Sequence, residues 1–306
     1  MDWVLVVAGF GVGIVVGLTG MGGGALMTPV LVLFFGIPPL TAVSSDLVVS
    51  ALMKPVGGMV HIRRRTVNWS LVGWLCVGSV PGAFAGVLVL RAIGDGDRLQ
   101  AAVKTALGAA LLIAVAGLVF RACTQFADGV ARRREAAGGA APPEDVTRAQ
   151  PLPTALVGAV GGLIVGMTSV GSGSLIIIAL LMLYPLLKPS HLVGTDLVQA
   201  VPLVSAAALG HLLFGDFQLS LAAALLLGSV PGVWLGAQLS SRSPGGLVRV
   251  ALTVVLLASG LKLLGLSNPA LLATLGAAIA CGVLGWTALR RRHGLPALRR
   301  DGRVGV

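Results

Sequence analysis

The chain states its main pattern twice. Gly78-Ser79-Val80-Pro81-Gly82 returns as Gly228-Ser229-Val230-Pro231-Gly232, Asp46-Leu47-Val48 returns as Asp196-Leu197-Val198, and His61 returns as His211. The offset is 150 residues each time (196 less 46). Upstream, Gly17-Leu18-Thr19-Gly20-Met21-Gly22-Gly23-Gly24 aligns with Gly166-Met167-Thr168-Ser169-Val170-Gly171-Ser172-Gly173 at an offset of 149 (166 less 17), so one residue has been gained or lost in between. Such a chain is constrained to two similar halves. Paired glycine-interrupted apolar segments in the two halves of a membrane protein point to a transporter binding site.

Both copies are written in apolar residues. The chain is 56% hydrophobic and 11% charged, with a mean hydropathy of +0.96. Its apolar runs are long enough to cross about 30 Å of hydrocarbon, which takes roughly 20 helical residues. This predicts an all-α polytopic membrane protein. The 44 glycines suit close helix approach and broken helices in lipid. No cleavable secretory signal precedes the first apolar run, which is expected to be retained. Three cysteines, Cys76, Cys123 and Cys281, lack ligand spacing and read as small apolar fillers, so no metal and no cofactor is expected.

The net charge of +11 sits almost entirely in loops and at the C-terminus, which makes it topology information rather than a nucleic-acid surface. Arg63, Arg64 and Arg65 follow one apolar segment, Arg132, Arg133 and Arg134 mark a central linker, and Arg290, Arg291, Arg292, Arg299 and Arg300 close the chain. By the positive-inside rule all three places, the C-terminus included, are cytoplasmic.

Apolar segments fall at roughly 3–35, 40–61, 68–90, 98–120, 153–185, 189–213, 218–239, 246–265 and 269–290. The expected domains are a first transmembrane repeat over 1–120, a cytoplasmic linker over 121–152, a second repeat over 153–265, and an extra helix with a basic tail over 266–306. Gly138-Gly139, Pro142-Pro143 and Glu144-Asp145 give the linker the composition of a flexible connector. The segments at 3–35 and 153–185 are too long for one ordinary span, and each is broken near its middle by its glycine cluster. Counting from the cytoplasmic arginines, the second broken segment begins and ends inside as a re-entrant hairpin. The same fold in the first copy puts the N-terminus outside, so the two repeats are expected to be inverted. Each repeat is then a hairpin plus three spanning helices, with one extra C-terminal span. Reading the broken segments as bent or tilted spans instead raises the crossings from 7 toward 9.

Irregular backbone at membrane depth is tolerated only where it is buried in protein or lines a cavity. The two glycine clusters are therefore expected to face each other. A half-helix beginning at Gly23 or Gly24, and another at Gly173 or Ser174, would aim unpaired N–H groups and partial positive charge into that space, which suits an anion. The candidate binding set is Thr19, Gly20, Met21, Gly22, Gly23 and Gly24 with Thr168, Ser169, Gly171, Ser172, Gly173 and Ser174. Glycine lets a ligand approach the backbone, and hydroxyls donate to oxyanion oxygens. The competing reading is that the glycines only permit tight helix packing.

Ionisable residues inside spans default to functional hypotheses. Asp46, Lys54, His61, Asp196 and His211 qualify as coupling or gating residues, with Gln199 beside them. Asp46 and His61 lie 15 residues apart (61 less 46), about 22 Å along a helix. Inversion would match Asp46 in depth with His211, and Asp196 with His61, as two proton-sensitive gates. The alternative is that the aspartates satisfy helix-end amides and the histidines bond to backbone near the interface. Lys54 has no counterpart, since residue 204 is valine, and pairing with Asp46 is the expectation for it.

The blocks Gly17 to Gly24, Gly36-Ile37-Pro38-Pro39, Gly194-Thr195-Asp196-Leu197, Gly210-His211-Leu212-Leu213-Phe214-Gly215-Asp216-Phe217 and both Gly-Ser-Val-Pro-Gly blocks together resemble the TauE/SafE sulfite exporter family of bacterial membrane transporters. The similarity covers nearly the whole chain apart from the linker and the tail. The resemblance implies movement of a small sulfur-containing anion, sulfite or an organosulfonate, across the inner membrane, driven by an ion gradient. Its partners are then a small anionic substrate and the lipid bilayer, with a homo-oligomer compatible and nucleic acid excluded. The alternative is a cation or divalent-metal transporter using Asp46, Asp196, His61 and His211 as ligands. No catalytic residue is expected: HExxH, GxSxG and a Walker A loop are all missing from the sequence.

Overall fold

The computed structural model describes residues 2–19, 23–94, 96–138, 149–185, 187, 189–240 and 245–292. These residues form helices and connecting turns, with no strand among them. The first copy runs α1 (Trp3–Thr19), α2 (Gly24–Phe34), α3 (Pro39–Arg63), α4 (Trp69–Ile93) and α5 (Asp97–Gly138). The second runs α6 (Pro151–Thr168), α7 (Leu175–Leu183), α8 (Pro189–Phe214), α9 (Leu219–Ser240) and α10 (Gly245–Leu263), and α11 (Asn268–Arg292) follows. Among the described residues, seven helices are long and apolar enough to cross a membrane, namely α3, α4, α6, α8, α9, α11 and the Asp97–Thr124 part of α5. Apolar side chains lie on the outside of the bundle, as lipid requires: Trp3, Phe34, Trp69, Met182 and Trp234 are all exposed.

The breaks fall at the glycine clusters. In the second copy, Gly171 and Gly173 have φ of 128° and 104°, values that an L side chain rarely adopts, so α6 cannot run on into α7. The segment then doubles back. The Tyr184 hydroxyl, just past α7, bonds the Thr154 hydroxyl at 2.6 Å and accepts from the Gln150 amide at 2.8 Å, at the start of α6. In the first copy Leu31 of α2 shares an apolar cluster with Leu221 at the start of α9, beside which α1 also begins.

The Gly-Ser-Val-Pro-Gly blocks are helix contacts. Gly78, Gly82 and Gly86 lie against the carbonyls of Ala155, Ala159 and Leu163, so α4 and α6 run parallel at a separation that leaves no room for a Cβ. Gly228, Gly232 and Gly236 lie in the same way against Val6, Phe10 and Ile14, joining α9 to α1. Gly-xxx-Gly spacing of this kind lets helix backbones approach in lipid, where association relies on packing rather than on a hydrophobic drive. Each hairpin thus packs on a helix of the other copy. The equivalent helices α3 and α8 lie antiparallel: Ser44 meets His211 near one end, and Gly58 lies against Val198 and Val201 toward the other.

The linker differs from the expected flexible connector in its first part. Helix α5 continues 42 residues to Gly138, beyond any bilayer requirement of roughly 20. The run Val130-Ala131-Arg132-Arg133-Arg134-Glu135-Ala136-Ala137 is rich in residues of high helix propensity, which sustains the helix once it has left the apolar stretch. The Gly139-to-Arg148 part of the linker lies outside the described residues.

Candidate functional site

The tips of the two broken segments meet inside the bundle. An ideal Cβ at Gly24, the first residue of α2, would overlap the Ser169 carbonyl oxygen, so only glycine fits there. Ser169 follows α6 and is held at φ 59°, an uncommon left-handed conformation for a serine. That conformation places its hydroxyl on the other copy: Ser169 Oγ donates to Asp46 Oδ2 at 2.8 Å. Thr28 Oγ1, one turn into α2, donates to the same oxygen at 2.7 Å. Asp46 is fully buried, and its second oxygen, Oδ1, has no hydrogen-bond partner.

Helix α3 presents Asp46, Ser50 and Lys54 at i, i+4 and i+8, which places them on one face. All three are buried, at 0%, 2% and 7% exposure. The Lys54 ammonium donates to Ser172 Oγ in the second tip. It acts electrostatically on both Asp196 and Asp46, so Asp196 is a second opposing charge beside the expected partner Asp46. Across the bundle on α8, Gln199 Nε2 donates to Asp196 Oδ1 at 3.2 Å, and Ser79 of α4 donates to Gln199 Oε1 at 3.2 Å. The Gly173 amide faces the Asp196 carboxylate. Asp196 Oδ2 is also without a partner.

The structure thus brings together Gly23, Gly24, Asp46, Lys54, Ser169 and Ser172, with Gly173, Asp196 and Gln199 flanking them. Thr19 and Thr168 instead spend their hydroxyls on the carbonyls of Val15 and Ile164 in their own helices. Gly171 shapes the break, and Ser174 is buried beside it. Gly20, Met21 and Gly22 lie outside the described residues.

The histidine rings bond to neutral groups rather than to the aspartates. His211 is bonded through Nε2 to the Gly166 carbonyl at 2.7 Å and through Nδ1 to Ser44 Oγ at 2.8 Å. With Nε2 donating to that carbonyl, Nδ1 of a neutral ring accepts from the serine. His61 Nδ1 meets Thr66 Oγ1 at 2.9 Å. Direct Asp–His hydrogen bonds are not formed among the described residues. No group of three or more His, Cys, Asp or Glu side chains converges there either, which removes the support for a four-ligand divalent-metal site.

Three features escaped the sequence reading. Thr28 looked like any threonine in an apolar helix. Ser50 was findable, because the spacing of four residues on either side places it between Asp46 and Lys54. The third is a cleft of about 170 Å³ at one end of the bundle, lined by Arg91, His211, Phe214 and Asp216 among others. There the Arg91 guanidinium sits 4.5 Å above the Phe214 ring, and Thr41 Oγ1 donates to the Asp216 carboxylate.

The family described as "Sulfite exporter TauE/SafE" matches residues 5–263, a range that takes in both tips, α3 and α8. The "Probable membrane transporter protein YjnA" of Bacillus subtilis (strain 168) is 39% identical over 261 residues, covering 85% of this chain and 98% of that protein. The "Probable membrane transporter protein YdhB" of the same organism is 26% identical over 257 residues, covering 83% of this chain and 97% of the relative. No solved structure matches. With ten helices arranged as two related sets around the buried tips, and a match spanning nearly all of them, this chain belongs to the TauE/SafE sulfite exporter family of membrane transporters.

Proposed function

We propose that the protein is a secondary transporter that carries a small oxyanion, sulfite or an organosulfonate, across a bacterial inner membrane, coupled to an ion gradient. The observation that supports this most directly is the meeting of the two tips at Gly24 and Ser169, with the Lys54 ammonium and the Ser172 hydroxyl at the same place. Two half-helix beginnings, a buried cation and hydroxyl donors make an environment in which an oxyanion replaces its hydration shell with fixed donors. Transport follows by alternating access: the antiparallel pair α3 and α8 rocks so that the tips open first to one side and then to the other. In this reading Arg63, Arg64 and Arg65 and the C-terminus face the cytoplasm, and Arg91 in its cleft collects anions on the opposite side.

The test is uptake of radiolabelled sulfite into proteoliposomes under imposed gradients, comparing wild type with Lys54→Gln. The expected result is gradient-dependent uptake in wild type and loss of about tenfold or more in affinity for Lys54→Gln, the size expected for removing a charge-assisted hydrogen bond. Wild-type vesicles that move neither sulfite nor a small sulfonate under any gradient would overturn the anion reading.

A further inference from the structure

The polar cluster around the tips is unevenly compensated. Two buried carboxylates, Asp46 and Asp196, share Lys54, and Asp196 has Arg121 acting on it in addition. Among the described residues, Lys54 is the one opposing charge that acts on Asp46. Bringing an oxyanion to Lys54 and Ser172 would draw on that same ammonium and leave Asp46 with less compensation still. A buried charge without a partner is not sustained at this cost.

The geometry around Asp46 shows where a compensating charge would sit. Its Oδ2 is taken by Thr28 and Ser169, whereas Oδ1 is buried without a partner. One helical turn along the same face, Ser50 Oγ is also buried without a partner. Both atoms border the space that Gly23 leaves by having no side chain: an ideal Cβ there would stand 3.6 Å from Ser50 Oγ and 3.8 Å from Asp46 Oδ1. Buried polar atoms left unpaired in this way call for a partner, an ion or a water. Here one partner would satisfy both.

We infer that Asp46 Oδ1 and Ser50 Oγ, in the gap at Gly23, form a site for a monovalent alkali cation, with Na⁺ as the ion that fits. This rests on the transporter reading above and names its coupling ion. The ligands decide the class: one carboxylate oxygen and one neutral hydroxyl are hard oxygen donors carrying a single negative charge, whereas divalent cations gather several carboxylates or keep a phosphate partner. The same pair of oxygens is not repeated in the second copy. There the position of Gly23 is held by Ser172, already engaged by Lys54, and the position of Ser50 is held by Ala200. The cation site at Asp46 therefore lies next to the anion, on the side of the carboxylate with less compensation.

The experiment is ²²Na⁺ binding to the full chain in liposomes, paired with sulfite uptake at clamped pH under a Na⁺ gradient or with choline replacing Na⁺. Wild type is expected to bind ²²Na⁺ saturably and to lose most uptake in choline. Ser50→Ala, a small change in a packed helix, is expected to raise the Na⁺ concentration for half-maximal uptake by about tenfold, as loss of one ligand to a charge implies. Asp46→Asn is expected to abolish the binding. Uptake that is unchanged in choline and follows the pH gradient alone would overturn the site while leaving the transporter reading intact. Saturable ²²Na⁺ binding weakened by Ser50→Ala, in vesicles that move no anion, would uphold the site and overturn the anion reading. Binding that Ser50→Ala does not weaken would place the ion elsewhere and overturn the inference.

Discussion

Asp46 and Asp196 occupy equivalent places in the two copies, yet they are held by different chemistry. Asp46 accepts two hydroxyls, from Thr28 and Ser169, whereas Asp196 accepts the side-chain amide of Gln199 and faces the Gly173 backbone amide. Carrying each partner across the repeat shows why. Thr28 corresponds to Ile177, Ser169 to Gly20, and Gln199 to Val49. No side-chain donor around one carboxylate has been copied to the other; of the four partners, the Gly173 amide alone has the same residue type at its counterpart, Gly24. The duplication kept the backbone that delivers a carboxylate to the tips and let the two surroundings diverge. In the proposed division of labour, the Asp46 half takes the driving ion, and the Lys54 and Ser172 side takes the cargo.

The largest effect is expected where the two halves touch. Gly24→Leu should prevent the tips from closing, giving protein that elutes as aggregate and vesicles without uptake, since a side chain there overlaps Ser169 backbone. Gly276→Leu on α11, with open space around it, should elute as wild type by size exclusion. Next, Asp46→Asn should lower gradient-driven uptake about 100-fold, roughly 2.8 kcal/mol of lost driving interaction at 1.4 kcal/mol per tenfold. Asp196→Asn should cost markedly less, because Arg121 already compensates that side; equal losses would break the comparison. A smaller change is expected from Thr28→Val, which removes one of two hydroxyls on Asp46 and should reduce uptake by about tenfold, within the range for a hydrogen bond to a charged group. Ile177→Thr in the other half removes no donor and should leave uptake within about twofold of wild type. The smallest is Arg91→Gln, expected to raise the apparent KM for sulfite by about threefold without altering maximal uptake, the signature of a steering charge outside the central site.

Much of the architecture was legible because lipid allows few alternatives. Apolar length located the helices, and glycine clusters placed the breaks where α1 and α6 in fact end, at Thr19 and Thr168. Duplication related Asp46 to Asp196 before any coordinates. What stayed illegible depends on partners that lie far apart along the chain. A Gly-Ser-Val-Pro-Gly block reads as a repeated word, but its use as a contact surface depends on α6 meeting α4 and α1 meeting α9, pairings that periodicity does not encode. The hydroxyl set was only half legible for a similar reason. Thr168 and Ser169 are neighbours with the same chemistry, and only the left-handed turn at Ser169 sends one hydroxyl to Asp46 while the other bonds back into its helix. Lys54 was recognisable as a costly charge, but the residue it engages, Ser172, is 118 positions away.

The exchange of hairpins between copies carries a consequence for how the protein is made. The glycine face of α1 is covered by Leu225, Ser229 and the glycines at 228, 232 and 236, so α1 is matched to a helix that is synthesised long after it. Until α9 has been inserted, that face has only lipid or an assisting factor against it. Neither half can complete its own packing alone: the first lacks a cover for α1, and the second lacks a cover for α6. The two copies share a sequence pattern, but neither stands as a folding unit by itself, and assembly waits until α9 has been made.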